Sequence, residues 1–129
     1  MTRPFARYIY ALTWSAGITF LLLQSSREPV VGPAVPEGEL SLAYELLLFA
    51  GHLTSFSILT LLWWWAFEAR LTFWRSIWMA IGIAVCMGIV TELLQSFAPD
   101  RETSWFDLIT NTSVTFVMAG GITFFHQRE

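Results

Sequence analysis

The sequence predicts an all-α integral membrane bundle of four transmembrane helices, over about 6–24, 41–67, 74–98 and 105–126. Three observations lead there. The first is composition. Of 129 residues, 55% are hydrophobic, 16% aromatic and only 13% charged, with mean hydropathy +0.56. A soluble domain carries about 25% charged residues, and half that number does not cover a water-facing surface. The second is the spacing of the charges. Stretches free of Asp, Glu, Lys and Arg run for 19 residues between Arg7 and Arg27, 22 between Glu45 and Glu68, 16 between Arg75 and Glu92, and 20 between Asp107 and Arg128. About 20 residues of helix cross a hydrocarbon core of about 30 Å. The third is the placing of the indoles. Trp63, Trp64, Trp65, Trp74 and Trp78 surround the second connection, and Trp105 opens the fourth helix. Trp favours the headgroup level, where its ring is buried and its N–H is wet.

The first helix follows Arg3 and Arg7. After Leu23 the chain reads Gln24-Ser25-Ser26-Arg27, which offers no small-x-small cleavage site, so the helix reads as an uncleaved span. Trp14, in mid-span, reads as a packing residue. The connection from Ser25 to Leu40 contains Pro29, Pro33, Pro36, Gly32 and Gly38, which break regular structure. The third helix keeps its apolar character past Glu92 to Ala98. It also carries Ala80, Ala84, Gly88 and Glu92 at every fourth position, a stripe of small residues that lets neighbouring helices approach closely. The fourth helix opens with Ser104-x-x-Asp107, the pattern of a capping box, and an acid in the first turn suits the helix dipole.

Arginine sets the orientation, since the chain has no Lys. Arg3, Arg7, Arg70, Arg75 and Arg128 fall on the side of both termini and the second connection, against Arg27 and Arg101 on the other. By the positive-inside rule both termini are expected in the cytoplasm. A net charge of −3 with no basic cluster leaves no footprint for nucleic acid. The single Cys86 excludes an internal disulfide and a cysteine zinc site, and reads as a small core residue. His52, Glu92 and Asp107 are metal-capable but scattered, so no metal or cofactor is expected.

A few polar residues lie too deep to be loop residues. His52 is about 16 Å along the second helix, and Glu92 about 10 Å from the outer end of the third. Gln95 lies one turn from Glu92 on the same face, Asp107 and Asn111 share a face of the fourth helix, and Arg101 sits between Gln95 and Asp107. Glu45, seven residues before His52, reads as a rim member. An ionised group in a span costs about 2.5–3.5 kcal/mol on insertion scales, so such groups face the bundle interior and pair. Each has a plain alternative: a packing role for His52, a cap for Asp107, a solvated turn for Asp100-Arg101-Glu102, interhelical bonding for Asn111. Their convergence on one end of one small bundle points to a site. His52, Glu92 and Asp107 are the candidate catalytic residues; Gln95, Arg101 and Asn111 are the candidate binding residues.

This pattern, His52-x-x-x-Phe56, Glu92-x-x-Gln95, Arg101, then Asp107-x-x-x-Asn111, with Phe97 and Pro99 between Gln and Arg, resembles the VanZ-like family, named for a teicoplanin-resistance protein. The resemblance covers about residues 45–121 and departs at Val114, where the family usually has Gly. It implies a single transmembrane domain over 1–129 of a small bacterial polytopic membrane protein in the cytoplasmic membrane, some relatives being linked to glycopeptide resistance. It implies no settled reaction.

Several functions compete. One is a cell-envelope protein whose outer-leaflet pocket engages an amphiphile: a lipid headgroup, a lipid-linked wall precursor or a lipoglycopeptide. There Arg101 would hold an anionic group through paired hydrogen bonds. Another is an intramembrane hydrolase or transferase acting on lipid, with Glu92 or His52 as general base and Ser55, Ser96 or Ser104 as unsignalled nucleophiles. A third is a structural subunit that locks helices or docks onto a second copy or a larger membrane complex. A small proton-coupled exporter fits poorly, because the first helix holds no ionisable group between Arg7 and Arg27 beyond Tyr8 and Tyr10.

Overall fold

The computed structural model describes residues 4–24, 42–97 and 104–128, with the side chains of Tyr44 and Glu45 left aside. It contains four helices in chain order: α1 (Pro4–Leu23), α2 (Leu42–Glu68), α3 (Phe73–Gln95) and α4 (Trp105–His126). Each is long and apolar enough to cross a membrane, and the protein is a multi-pass membrane protein. The shortest, α1 with 20 residues, spans about 30 Å.

The ends follow local chemistry. α3 stops at Gln95, three residues before the expected 98, and Ser96 and Phe97 form a turn. Pro99 disfavours the helical conformation for the residue before it and has no N–H to continue the ladder. The α2–α3 connection is tight: the Arg70 and Leu71 N–H groups both return to the Phe67 carbonyl. Arg7 from α1 donates from Nη1 to the Trp65 carbonyl at 3.0 Å, satisfying one of the orphan acceptors at the end of α2.

α2 and α3 form the central pair. α1 packs on both from one side and α4 on both from the other, and among the described residues α1 and α4 do not pack together. The core is small and partly polar: Ala11, Ala66, Ala80, Ala84 and Gly88 are buried beside Thr60, Ser76, Thr91 and Thr115. Large apolar side chains such as Phe5, Leu12, Leu46 and Val117 face outward. Lipid is as apolar as Leu, so no hydrophobic force draws these helices together; close approach of small residues and interhelical polar contacts do. The α3 stripe shows this: a Cβ added at Gly88 would stand 3.6 Å from Phe56, 3.7 Å from Asn111 and 3.8 Å from Leu108.

The buried hydroxyls are accounted for within their own helices. Thr60, Ser76, Thr91 and Thr115 each donate to the carbonyl four residues back, at 2.8–3.0 Å. Trp14 does pack in mid-span, where its Nε1–H reaches the Ser55 carbonyl at 3.0 Å and ties α1 to α2.

Candidate functional site

α2 and α4 run in the same direction, each flanking α3, and this brings His52 level with the first turns of α4. His52 Nδ1 lies 3.0 Å from Asn111 Oδ1. His52 Nε2 lies 4.0 Å from Asp107 Oδ2. Both His52 and Asn111 are buried, Asn111 to 1% exposure. With Oδ1 as the acceptor, Nδ1 carries the hydrogen and Asn111 Nδ2 is buried without a partner among the described residues. Rotating the amide by 180° lets Nδ2 donate to Nδ1 and turns an Nε2–H toward the Asp107 carboxylate. That arrangement points a donor at the acid, and the group it leaves unpaired is a carbonyl, which is tolerated better than an orphan N–H. In either orientation both ring nitrogens face protein groups.

Glu92 is also buried, on the same stripe as Gly88 and one turn further along. Its Oε2 accepts the backbone N–H of Ser104 at 3.0 Å. Ser104 is the N-cap of α4, and its hydroxyl accepts the Asp107 N–H at 3.2 Å. Half of the expected capping box is therefore made. In the full motif the acid three residues on would take the N-cap's own N–H. Here a carboxylate from α3 takes that place, and the Asp107 side chain turns to His52. The exchange also sets the Glu92 charge at the positive end of the α4 dipole.

The other candidates divide. Gln95 is 3% exposed, and its Nε2–H donates to the Leu22 carbonyl at 2.9 Å. It caps the last turn of α1, an acceptor with no helical partner of its own. Arg101 lies outside the described residues, as does the side chain of Glu45. Among the proposed nucleophiles, Ser96 donates to the Leu93 carbonyl at 2.6 Å and Ser104 serves as the cap. Cys86 is exposed on the outside of α3, not in the core as its composition suggested. Val114, where the resemblance departs, packs against the buried cluster of Phe56 and Ala84.

A cleft of about 370 Å³ opens beside Glu92, between α3 and α4. Ile89, Leu93, Trp105 and Leu108 form its apolar walls, and Glu92 and Ser104 its polar lining. Leu93 and Trp105 are exposed, so the cleft faces the surrounding bilayer. The sequence did not reveal the Ser104 N–H or the Leu22 carbonyl as partners, because backbone groups carry no residue identity to read. Compared with protein-family models, with curated proteins and with solved structures, the chain matches none.

Proposed function

We propose that this is a protein of the bacterial cytoplasmic membrane, of the VanZ-like type, whose α3–α4 cleft engages an amphiphile of the outer leaflet: a lipid headgroup, a lipid-linked wall precursor or a lipoglycopeptide such as teicoplanin. The observation that carries the reading is the cleft itself, apolar walls open to lipid with a buried carboxylate and a helix N-cap in its lining. An acyl chain suits the walls. Hydroxyl or amide donors of a headgroup suit the polar end, where the Ser104 hydroxyl, already accepting from Asp107, keeps its own hydrogen to donate. The arginine asymmetry supports cytoplasmic termini, which sets the cleft in the outer half of the membrane. Arg101 enters as the residue that grips an anionic group through its planar fork.

The enzymatic alternative loses its general base, since both His52 nitrogens are turned to Asn111 and Asp107. These three residues read better as a lock between α2 and α4, with the cleft as the ligand site beside it.

The test is to express the chain, at equal membrane abundance, in a teicoplanin-susceptible bacterium and to measure inhibitory concentration for wild type, Ile89→Trp, Arg101→Gln and Arg101→Lys. The reading expects protection by wild type and its loss when an indole fills the cleft or the guanidinium is removed, with Lys failing as Gln does. Full protection by Ile89→Trp removes the cleft from the mechanism. No protection by wild type, together with no amphiphile carried through purification, leaves the structural-subunit reading in its place.

A further inference from the structure

A second cleft, of about 340 Å³, lies at the opposite end of the bundle between the last two turns of α2 and of α4. Leu61 and Ile122 are among its walls, and Glu68 and His126 stand at the helix ends that border it. Trp64 lines it as well, and its Nε1 is buried without a hydrogen-bond partner among the described residues. A buried N–H is ordinarily paired, so this one calls for an acceptor that the chain does not supply. Gly121 lines the same space, and a Cβ there would meet nothing within 4 Å. His126 is held in position by stacking on Phe73, with ring centroids 3.8 Å apart and planes at 6°.

Charge selects the occupant. α2 and α4 are parallel, so two helix C-termini, each carrying about half a negative charge, converge at this mouth. Glu68 adds a full one. No Arg lines the cleft: Arg7 lies over Trp65 and Arg70 over Tyr8, on the α1 side, and Arg128 lies over Phe124. An anionic headgroup would meet repulsion here, whereas an ammonium group would be drawn in.

We propose that this cleft is a binding site for a bilayer phospholipid with an ammonium headgroup, of the phosphatidylethanolamine kind. Its acyl chain lies between α2 and α4, an ester carbonyl accepts the Trp64 Nε1–H, and the ammonium group meets Glu68. The site is independent of the cleft beside Glu92 and stands or falls without it.

The full chain, purified in detergent, is offered dioleoyl phosphatidylethanolamine or dioleoyl phosphatidylglycerol, and retained lipid is read by native mass spectrometry. Wild type should retain the ethanolamine lipid about tenfold better than the glycerol lipid, and Glu68→Gln should lose that preference. Gly121→Leu fills the space and should lose the adduct. Trp64→Phe keeps the ring but removes the donor, and should weaken retention by about threefold to tenfold. It also serves as the decisive variant if Gly121→Leu does not fold, as judged by helical circular dichroism and a monodisperse elution. Equal retention of both lipids by wild type overturns the proposal. So does unchanged retention in folded Gly121→Leu or in Trp64→Phe, which would mark the adduct as lipid bound elsewhere on the surface. Loss of the adduct in Ile89→Trp would move the lipid to the other cleft and overturn it equally.

Discussion

At the end of the bundle where α3 passes to α4, polar side chains are buried and joined across helices: His52 to Asn111, Glu92 to the Ser104 N–H. At the end where α2 turns into α3, the cations lie over aromatic rings: Arg7 over Trp65, Arg70 over Tyr8, Arg128 over Phe124. The second arrangement is what a membrane–water interface asks of any chain, since Arg and Trp both keep one part wet and one part apolar. It anchors and orients. The first arrangement has no such general cause. Placing an ionisable group in a span costs about 2.5–3.5 kcal/mol on insertion scales, and an interhelical hydrogen bond in a membrane returns only about 0.6 on average. The buried end therefore marks where the chain carries something beyond stability.

The comparison yields graded expectations for unfolding of the purified protein in detergent. Asn111→Ala should cost most, about 1–3 kcal/mol, because it leaves the buried His52 ring without its partner. A loss below about 0.5 kcal/mol would show that the pair is not a lock. Arg128→Ala, at the other end, should cost no more than about 1 kcal/mol, the range of an exposed cation–π contact. A larger loss there would erase the contrast between the two ends. Glu92→Leu sets two terms against each other. It forfeits a charge-assisted bond worth about 1.5–3 kcal/mol and leaves the Ser104 N–H unpaired, but it removes the cost of a carboxylate in the span. The two nearly cancel, so stability should stay within about 1 kcal/mol of wild type while ligand engagement is lost. A severe drop in stability would make Glu92 a structural residue. Gly88→Ala should change least: the new Cβ lands in ordinary contact at 3.6–3.8 Å, and Ala favours helix over Gly by about 0.5–1 kcal/mol.

The four spans were legible because charge-free stretches of the right length admit few other readings. The inward face of α3 was legible for a related reason: Ala80, Ala84, Gly88 and Glu92 recur at helical spacing, and all four are buried. The convergence of His52 with Asn111 followed from depth alone, and the half-made cap at Ser104 from its spacing to Asp107. What the sequence hid are contacts to backbone. Gln95 was read as a binding residue, yet its amide closes the end of α1 at the Leu22 carbonyl. Glu92 was read as pairing with side chains, and it also accepts the N-cap N–H of α4. The cleft between α2 and α4 was illegible too, because it arises from the parallel course of two helices separated in sequence and from the missing side chain at Gly121.

The most direct test of the central claim compares two positions on α3 of similar depth. Leu93 lines the α3–α4 cleft, while Val90 is exposed on α3 and does not line it. A benzophenone amino acid is placed at one or the other in living bacteria, the cells are irradiated, and the attached molecules are identified by mass spectrometry. The account predicts that position 93 captures one amphiphile enriched far above its share of the membrane, and that this enrichment disappears in Ile89→Trp. Position 90 should capture bulk lipid in its ordinary proportions. The same bulk-lipid profile at both positions would contradict the claim that this cleft is a binding site.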